Sequence, residues 1–505
     1  APSAADEPFA IKQFWHVTGH KARAWVDLQN DVTTKDIKQS QAEGFRAVEH
    51  LKRYTTLGMA TDQGKTSNIL GLAVMAEATG KTIPETGTTI FRPPYSPIAI
   101  GALGGRERGM HFHPTRLTPS HKWAAEQGAE FVEVGNWMRA QWFPKPGDQT
   151  WRDSVDREVM KTRASVGVCD VSTLGKIDIK GADAATFLNK MYSNPFAKVP
   201  VGRVRYGLML REDGICYDDG TTARLAEDHF VMTTTTANAV LVYRNMEFAR
   251  QCLFPDLDVH LISTTDHWAQ FAVAGPKSRD VIAKLVDADM SSDGFPFMGC
   301  SDVTVCGGTP GRLFRISFSG ELAYEIAVPA RYGDALIREI MKAGEEFDIT
   351  PYGTEALGVM RIEKGHVTGA ELDGRITAFN VNMDGMVSKK KDSIGSTLSQ
   401  RENMIADDQV RLVGIKPVNK SDNLTAGAHF VAKDTATTTQ NDLGWISSVC
   451  YSPHFEQHIG LGFLKRGAER HGDIIRAWDG VRGTDIDVEI VSSHMYDPEG
   501  GLQRG

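Results

Sequence analysis

From about residue 120 onward the sequence alternates between two hydrophobic periods, and this alternation limits the possible folds more than any other feature. The segment "KIDIKG" has the period-two pattern of a strand, "DAATFLNKMY" has helical spacing, and "HFVMTTTT" is a strand followed by the helix "ANAVLVYRNMEFARQC". "RYGLMLREDGICYDD" reads as a hairpin turning at Glu-Asp-Gly. "AQFAVAG" followed by "PKSRDVIAKLV" repeats strand into helix, with Pro276 expected in the first helical turn. Hairpins separated by helices predict an α+β protein with antiparallel sheets. From about residue 408, the polar stretches "NKSDNLTAGA" and "AKDTATTTQND" interrupt short strands, which predicts a final all-β domain.

The first eighty residues read differently. "WVDLQNDVTTKDIKQSQAEGF" predicts a strand and then a helix capped by Thr33 or Thr34. A second helix is expected over roughly residues 46–53, and "TSNILGLAVMAEATGK" predicts a third, closed by Gly80. The Pro- and Gly-rich "FRPPYSPIAIGALGG" and "HFHPTRLTPSHKW" read as an extended linker.

A chain of 505 residues has room for about three domains. Its net charge of −8 argues against a general nucleic-acid binder. With no run of eighteen apolar residues and no signal-peptide pattern at the start, it is expected to be a cytoplasmic protein that does not bind membranes. The six cysteines have no C-x-x-C or finger spacing, so buried free thiols and no metal site are expected.

"KRYTTLGMATDQGKTSN", residues 52–68, ends like a phosphate-binding loop. That loop requires four residues between Gly and Gly-Lys-Ser/Thr and a buried strand ahead of it. Here five residues separate Gly58 from Gly64, and the segment ahead is helical, which argues against a nucleotide hydrolase. The cations, hydroxyls and amide of Lys52, Arg53, Thr55, Thr56, Gln63, Lys65 and Thr66 remain a candidate anion cluster.

Six segments then occur in a telling order: "VGVCDVSTLGKIDIKGADAATFLNKMYSN", "RYGLMLREDGICYDDGTTARL", "FAVAGPKS", "SGELAYEIAVP", "RIEKGHVTGAELD" and "GWISSVCYSPHFEQHIGLGFL". This order resembles the tetrahydrofolate-binding aminomethyltransferase family of the glycine-cleavage T-protein, over about residues 120–505. "WVDLQNDVTTKDI", "GFRAVEHLKRYTTLGMATDQGKTSN" and "FRPPYSPIAIGA" resemble the α subunits of heterotetrameric sarcosine oxidases. The resemblance implies a helical flavin-interface module (1–85), a linker (86–120), a multi-lobed folate-binding domain (121–405) and a C-terminal β-barrel domain (406–505).

It also implies a subunit that helps oxidise an N-methyl amine and passes the one-carbon unit to tetrahydrofolate, giving 5,10-methylenetetrahydrofolate. The implied partners are a flavin-bearing β-type subunit and small γ- and δ-type subunits. Flavin mononucleotide (FMN) would be shared with the β-type subunit, its phosphate reached by the seven residues above. The N-terminal dinucleotide-binding half of such α subunits is not evident here, so FAD or NAD would enter only through another chain or a missing half. A stand-alone transferase and a non-catalytic scaffold are the rival readings.

Within the folate domain, Asp219 matches the family's catalytic aspartate, with Asp218 as its rival. Adjacent strand side chains point to opposite faces, so only one of the pair can face the pocket. Glu325 matches a pterin-binding glutamate, whose two oxygens suit adjacent N–H donors. Tyr206 and Tyr324 are expected near the folate rings. Arg361 is expected to point toward the folate cavity, or else to pair with Glu363 or Glu355. "EKGHVTG" lacks the cysteine of the family's iron–sulfur-maintenance relatives, and its His366 reads as a core residue or a proton carrier.

Overall fold

A computed structural model describes residues 13–93, 95–107, 109–111 and 114–505. The chain divides into two compact units, Ala1–Pro114 and Thr115–Gly505. In the first, a small hairpin (Trp25–Asp27, Val32–Thr33) leads into the helix Thr34–Ala42. Thr33 caps that helix reciprocally with Asp36, satisfying two otherwise orphaned backbone donors. The second helix, Val48–Thr55, starts two residues later than its spacing suggested, because no side chain caps its beginning. The third, Asn68–Thr79, ends at Gly80 in the left-handed conformation that glycine adopts without strain. Val26, Ile37, Leu51, Leu57, Val74 and Met75 close the core of this unit.

The second unit contains two large antiparallel-rich sheets, a small three-stranded sheet (Arg116–Leu117, Trp137–Trp142, Glu130–Val134) and a barrel. The first sheet runs His260–Ser263, Gly175–Lys180, His229–Thr234, Cys216–Ala226, Arg203–Leu210. The second runs Cys300–Val305, Thr309–Phe314, Ala323–Pro329, Trp268–Ala274, Gly167–Asp170, Thr350–Pro351, and its last pair is parallel. Six strands between Val410 and Val491 close into an antiparallel barrel around Val413, Ile415, Phe430, Val488 and Ile490. Closure leaves this domain no unpaired sheet edge.

Three local expectations need correction. Pro276 lies in the turn before the helix Ser278–Ala283, where the Ser278 N–H bonds back to the Gly275 carbonyl, and not within the helix. The linker region is not wholly extended, since it holds the helical turn Ile100–Gly104. All six cysteines are free, but Cys252 and Cys306 are exposed because they sit at a helix end and in a hairpin turn. Among the described residues no helix is long and apolar enough to cross a membrane.

Candidate functional site

Two adjacent aspartates lie on the strand Cys216–Ala226, and its pairing with Arg203–Leu210 separates their roles. Leu208 stands opposite Asp219 and Tyr206 opposite Thr221, so Tyr206, Leu208, Asp219 and Thr221 share one face. Asp218 and Met209 occupy the other. The Tyr206 hydroxyl donates to Asp219 Oδ2 at 2.8 Å. Asp219 Oδ1 is buried and, among the described residues, has no partner.

Asp218, by contrast, is fully used. Its carboxylate accepts from the Thr235 N–H (3.2 Å), Thr235 Oγ1 (2.8 Å) and Asn238 Nδ2 (3.0 Å), which fixes the turn ahead of the helix Ala239–Phe248. Burial, followed by repulsion from Asp218, raises the Asp219 pKa to about 7. Burial also holds the Tyr206 phenol well above its ordinary value, so Tyr206 remains a donor. A carboxyl poised near neutrality with one unengaged oxygen is suited to taking up a proton.

Gly220 keeps the neighbouring strand close to this pair. A Cβ there would lie 2.1 Å from the Thr233 carbonyl oxygen. Gly220→Ala is therefore expected to push the strands apart, destabilising the protein by about 1–3 kcal/mol and cutting any activity that depends on Asp219 by more than the loss of folded protein explains. Thermal unfolding compared with activity per folded molecule checks this.

Glu325 lies on the strand Ala323–Pro329 of the second sheet and is 8% exposed. Gln270 Nε2 donates to its Oε2. Burial raises the Glu325 pKa, with the Gln270 hydrogen bond and the Lys176 charge opposing that rise. Tyr324 points the other way, as successive strand residues must. It is fully buried in the apolar core beside Phe295 (centroids 6.4 Å apart).

Arg361 is held by three acceptors. Its guanidinium donates to Glu371 Oε2 (2.8 Å), the His366 carbonyl (3.3 Å) and Ser448 Oγ (2.7 Å). It ties the helix Thr354–Lys364 to the barrel through Ser448, which in turn donates to Glu371, and it does not pair with Glu363 or Glu355. Glu363 pairs instead with Arg163, and Glu355 accepts from Gln141 Nε2. His366 hydrogen-bonds the Phe318 carbonyl at 2.9 Å, and burial lowers its pKa to about 4, so it stays neutral at physiological pH.

In the first unit, all seven residues of the anion cluster have internal acceptors. Lys52 is buried and donates to Glu49 (3.0 Å) and the Ile90 carbonyl, and Arg53 donates to Glu49 (2.7 Å). Thr55, Thr56 and Gln63 donate to the carbonyls of Leu51, Thr55 and Ala60. Thr66 Oγ1 and its N–H bond Asp62, and Lys65 bonds the Asp62 and Tyr95 carbonyls. Asp62 thus supplies the loop's own anion. The threonine hydroxyls have no donor left, whereas Arg53 and Lys65 keep spare N–H groups.

Gln270 and Lys176 were missed by sequence reasoning. Gln270 interrupts the apolar strand "AQFAVAG", which is a usable signal. Lys176 in "GKIDIKG" reads as a solvent-facing strand residue, and only the packing reveals its burial.

Comparison with known proteins matches three domain families: the GCVT N-terminal domain over residues 120–391, the sarcosine oxidase A3 domain over 21–106, and the glycine cleavage T-protein C-terminal barrel domain over 411–497. The chain is 50% identical over 487 residues to sarcosine oxidase subunit alpha of Rhizobium meliloti (strain 1021), a match spanning 96% of this chain and 49% of that one. It is 45% identical to sarcosine oxidase subunit alpha of Corynebacterium sp. (strain P-1), over 95% of this chain and 50% of that one. The chain therefore spans about half the length of these curated relatives. In fold it is similar to glycine cleavage system aminomethyltransferase T from Bartonella henselae, with a TM-score of 0.65 at 22% identity, covering 77% of this chain and 99% of that one.

Proposed function

The chain belongs to the GCVT family, and from that premise we propose that it is the folate-binding part of a sarcosine oxidase-type α subunit. In this reading a flavin-bearing β-type partner, accompanied by small γ- and δ-type subunits, oxidises sarcosine or a similar N-methyl amine. This chain passes the released one-carbon unit to tetrahydrofolate. The observation that carries the reading is the unengaged Asp219 oxygen beside Tyr206, in a chain half identical to a sarcosine oxidase subunit alpha.

Tetrahydrofolate supplies two nucleophilic amines, N5 and N10, that capture the one-carbon unit. Asp219 orients one of them and accepts its proton at Oδ1, the oxygen left without a partner. Tyr206, held as a donor, stabilises the carboxylate through Oδ2. Glu325 accepts hydrogen bonds from the ring N–H donors of the pterin, because Gln270 occupies only one of its oxygens.

FMN fits the first unit less well than the sequence suggested. Thr55, Thr56 and Thr66 spend their single hydroxyl donors on internal acceptors, so contact with the flavin phosphate falls to Arg53, Lys65 and the second amide N–H of Gln63. FAD and NAD belong, in this reading, to another chain or to a longer form of this one.

The test is to purify the full-length protein with its native partners and to measure the flavin spectrum together with sarcosine-dependent 5,10-methylenetetrahydrofolate formation. A flavin-bearing assembly that forms this product supports the reading, whereas a colourless, partner-free chain that still binds folate points to a stand-alone transferase. Glu325→Gln, which removes a charged acceptor, is expected to weaken binding of 5-formyltetrahydrofolate by about 10- to 100-fold, as read by titration calorimetry.

A further inference from the structure

Lys176 is 2% exposed, on a strand of the first sheet. Its ammonium donates to two carbonyls of the connecting turn, Ser172 (2.9 Å) and Leu174 (3.0 Å), and keeps a third donor. That turn bonds the second sheet, since the Gln270 N–H donates to Ser172 Oγ (2.9 Å) and the Val171 N–H to the Gln270 carbonyl (2.9 Å). The Gln270 side chain in turn holds Glu325. Two buried charges of opposite sign thus sit on either side of one hydrogen-bonded bridge, and among the described residues neither forms a direct ion pair.

A buried carboxylate without a countercharge takes up a proton. We propose that Lys176 is a positioning residue that carries the countercharge for Glu325 across the junction of the two sheets, keeping that carboxylate ionised and aimed to accept N–H donors from a folate-type ligand. The inference rests on Glu325 as the ligand contact. Glu325 is the foremost charge acting on Lys176, ahead of Asp170 and Asp266, while Arg139 opposes them. Burial lowers the Lys176 pKa to about 8, so the ammonium is present at neutral pH and lost above it.

The experiment uses the full-length protein and 5-formyltetrahydrofolate as probe. Lys176→Met removes the charge, and Lys176→Gln retains one donor for the turn carbonyls in case the first variant folds poorly. With the countercharge gone, burial of Glu325 is opposed by Gln270 alone, and its carboxyl is expected to hold its proton to higher pH. Both variants are expected to bind about tenfold more weakly or worse at pH 7 and to converge on wild type as the pH rises, because Glu325 ionises in the variants while Lys176 discharges in the wild type.

A defect of equal size at every pH, or no defect, overturns the proposal, since a merely structural role would not follow pH. Thermal unfolding of Lys176→Gln, Glu325→Gln and the double variant tests the coupling without ligand. Non-additive changes support it and additive ones overturn it. If Glu325→Gln binds folate like wild type, the reading of Glu325 as ligand contact fails, and the stability cycle alone decides the charge coupling.

Discussion

Replacing Asp219 with Asn is expected to slow one-carbon transfer by about 10²- to 10⁴-fold, while amine oxidation and subunit assembly persist. The substitution keeps the size of the side chain but removes the base, and the orphaned Oδ1 loses its proton affinity. Transfer by the wild type should rise with pH through about 7, because Asp219 acts only when ionised. Asp218→Asn removes the neighbouring charge and should move that rise to lower pH, at some expense to the turn at Thr235 and Asn238.

Stability carries the opposite sign. The folded protein holds the Asp219 proton more tightly than the unfolded chain, whose ordinary value is 3.8. Ionising this carboxyl therefore destabilises the fold increasingly as the pH rises from about 4 to 7. Asp219→Asn should be more stable than wild type at pH 8, by a few kcal/mol at most, roughly. The two proteins should unfold alike at pH 4. A profile of transfer that stays flat across pH 6 to 8, or full activity in the Asn variant, would remove Asp219 from the chemistry.

Arg163→Met is expected to destabilise the second unit by about 3–5 kcal/mol. Arg163 Nη1 donates to Glu321 (2.6 Å) and Nε to Glu363 (2.9 Å), and all three side chains are buried. The guanidinium also stacks on Tyr496, 3.6 Å from the ring centroid, while the Tyr496 hydroxyl donates to Glu321 (2.6 Å). Ser452 of the barrel donates to the other oxygen of Glu363 (2.6 Å).

One cation thus joins two helices, a loop, the barrel and the segment after it. Without it, two buried carboxylates remain uncompensated, and this is the source of the deficit. Adding Glu363→Gln should recover part of it, a non-additivity that denaturant midpoints would reveal. A loss below 1 kcal/mol would mean that solvent already screens the cluster.

The sequence by itself determined the class of fold, the approximate order of its parts and the short list of chemical groups. Alternating periods, the reciprocal cap at Thr33 and the glycine at position 80 are local properties that neighbouring residues cannot override cheaply. The Asp218–Asp219 pair was legible as a candidate for the same reason, since a strand must send the two carboxylates to opposite faces.

Which face meets the site was decided only by the tertiary structure. A period-two pattern gives alternation but no phase, and the phase came from Tyr206 across the hairpin and from the turn at Asn238. The same freedom sent Glu325 toward Gln270 and Tyr324 into the core. Arg361 found Glu371, ten residues on, because the chain folds back after Gly365, a reversal that helical spacing does not encode. Lys176 is buried because sheet packing covers its strand. The loop at residues 52–66 spends most of its donors on its own backbone and on Asp62, because charged and hydroxyl groups bond the nearest acceptor, and only three-dimensional proximity says which that is.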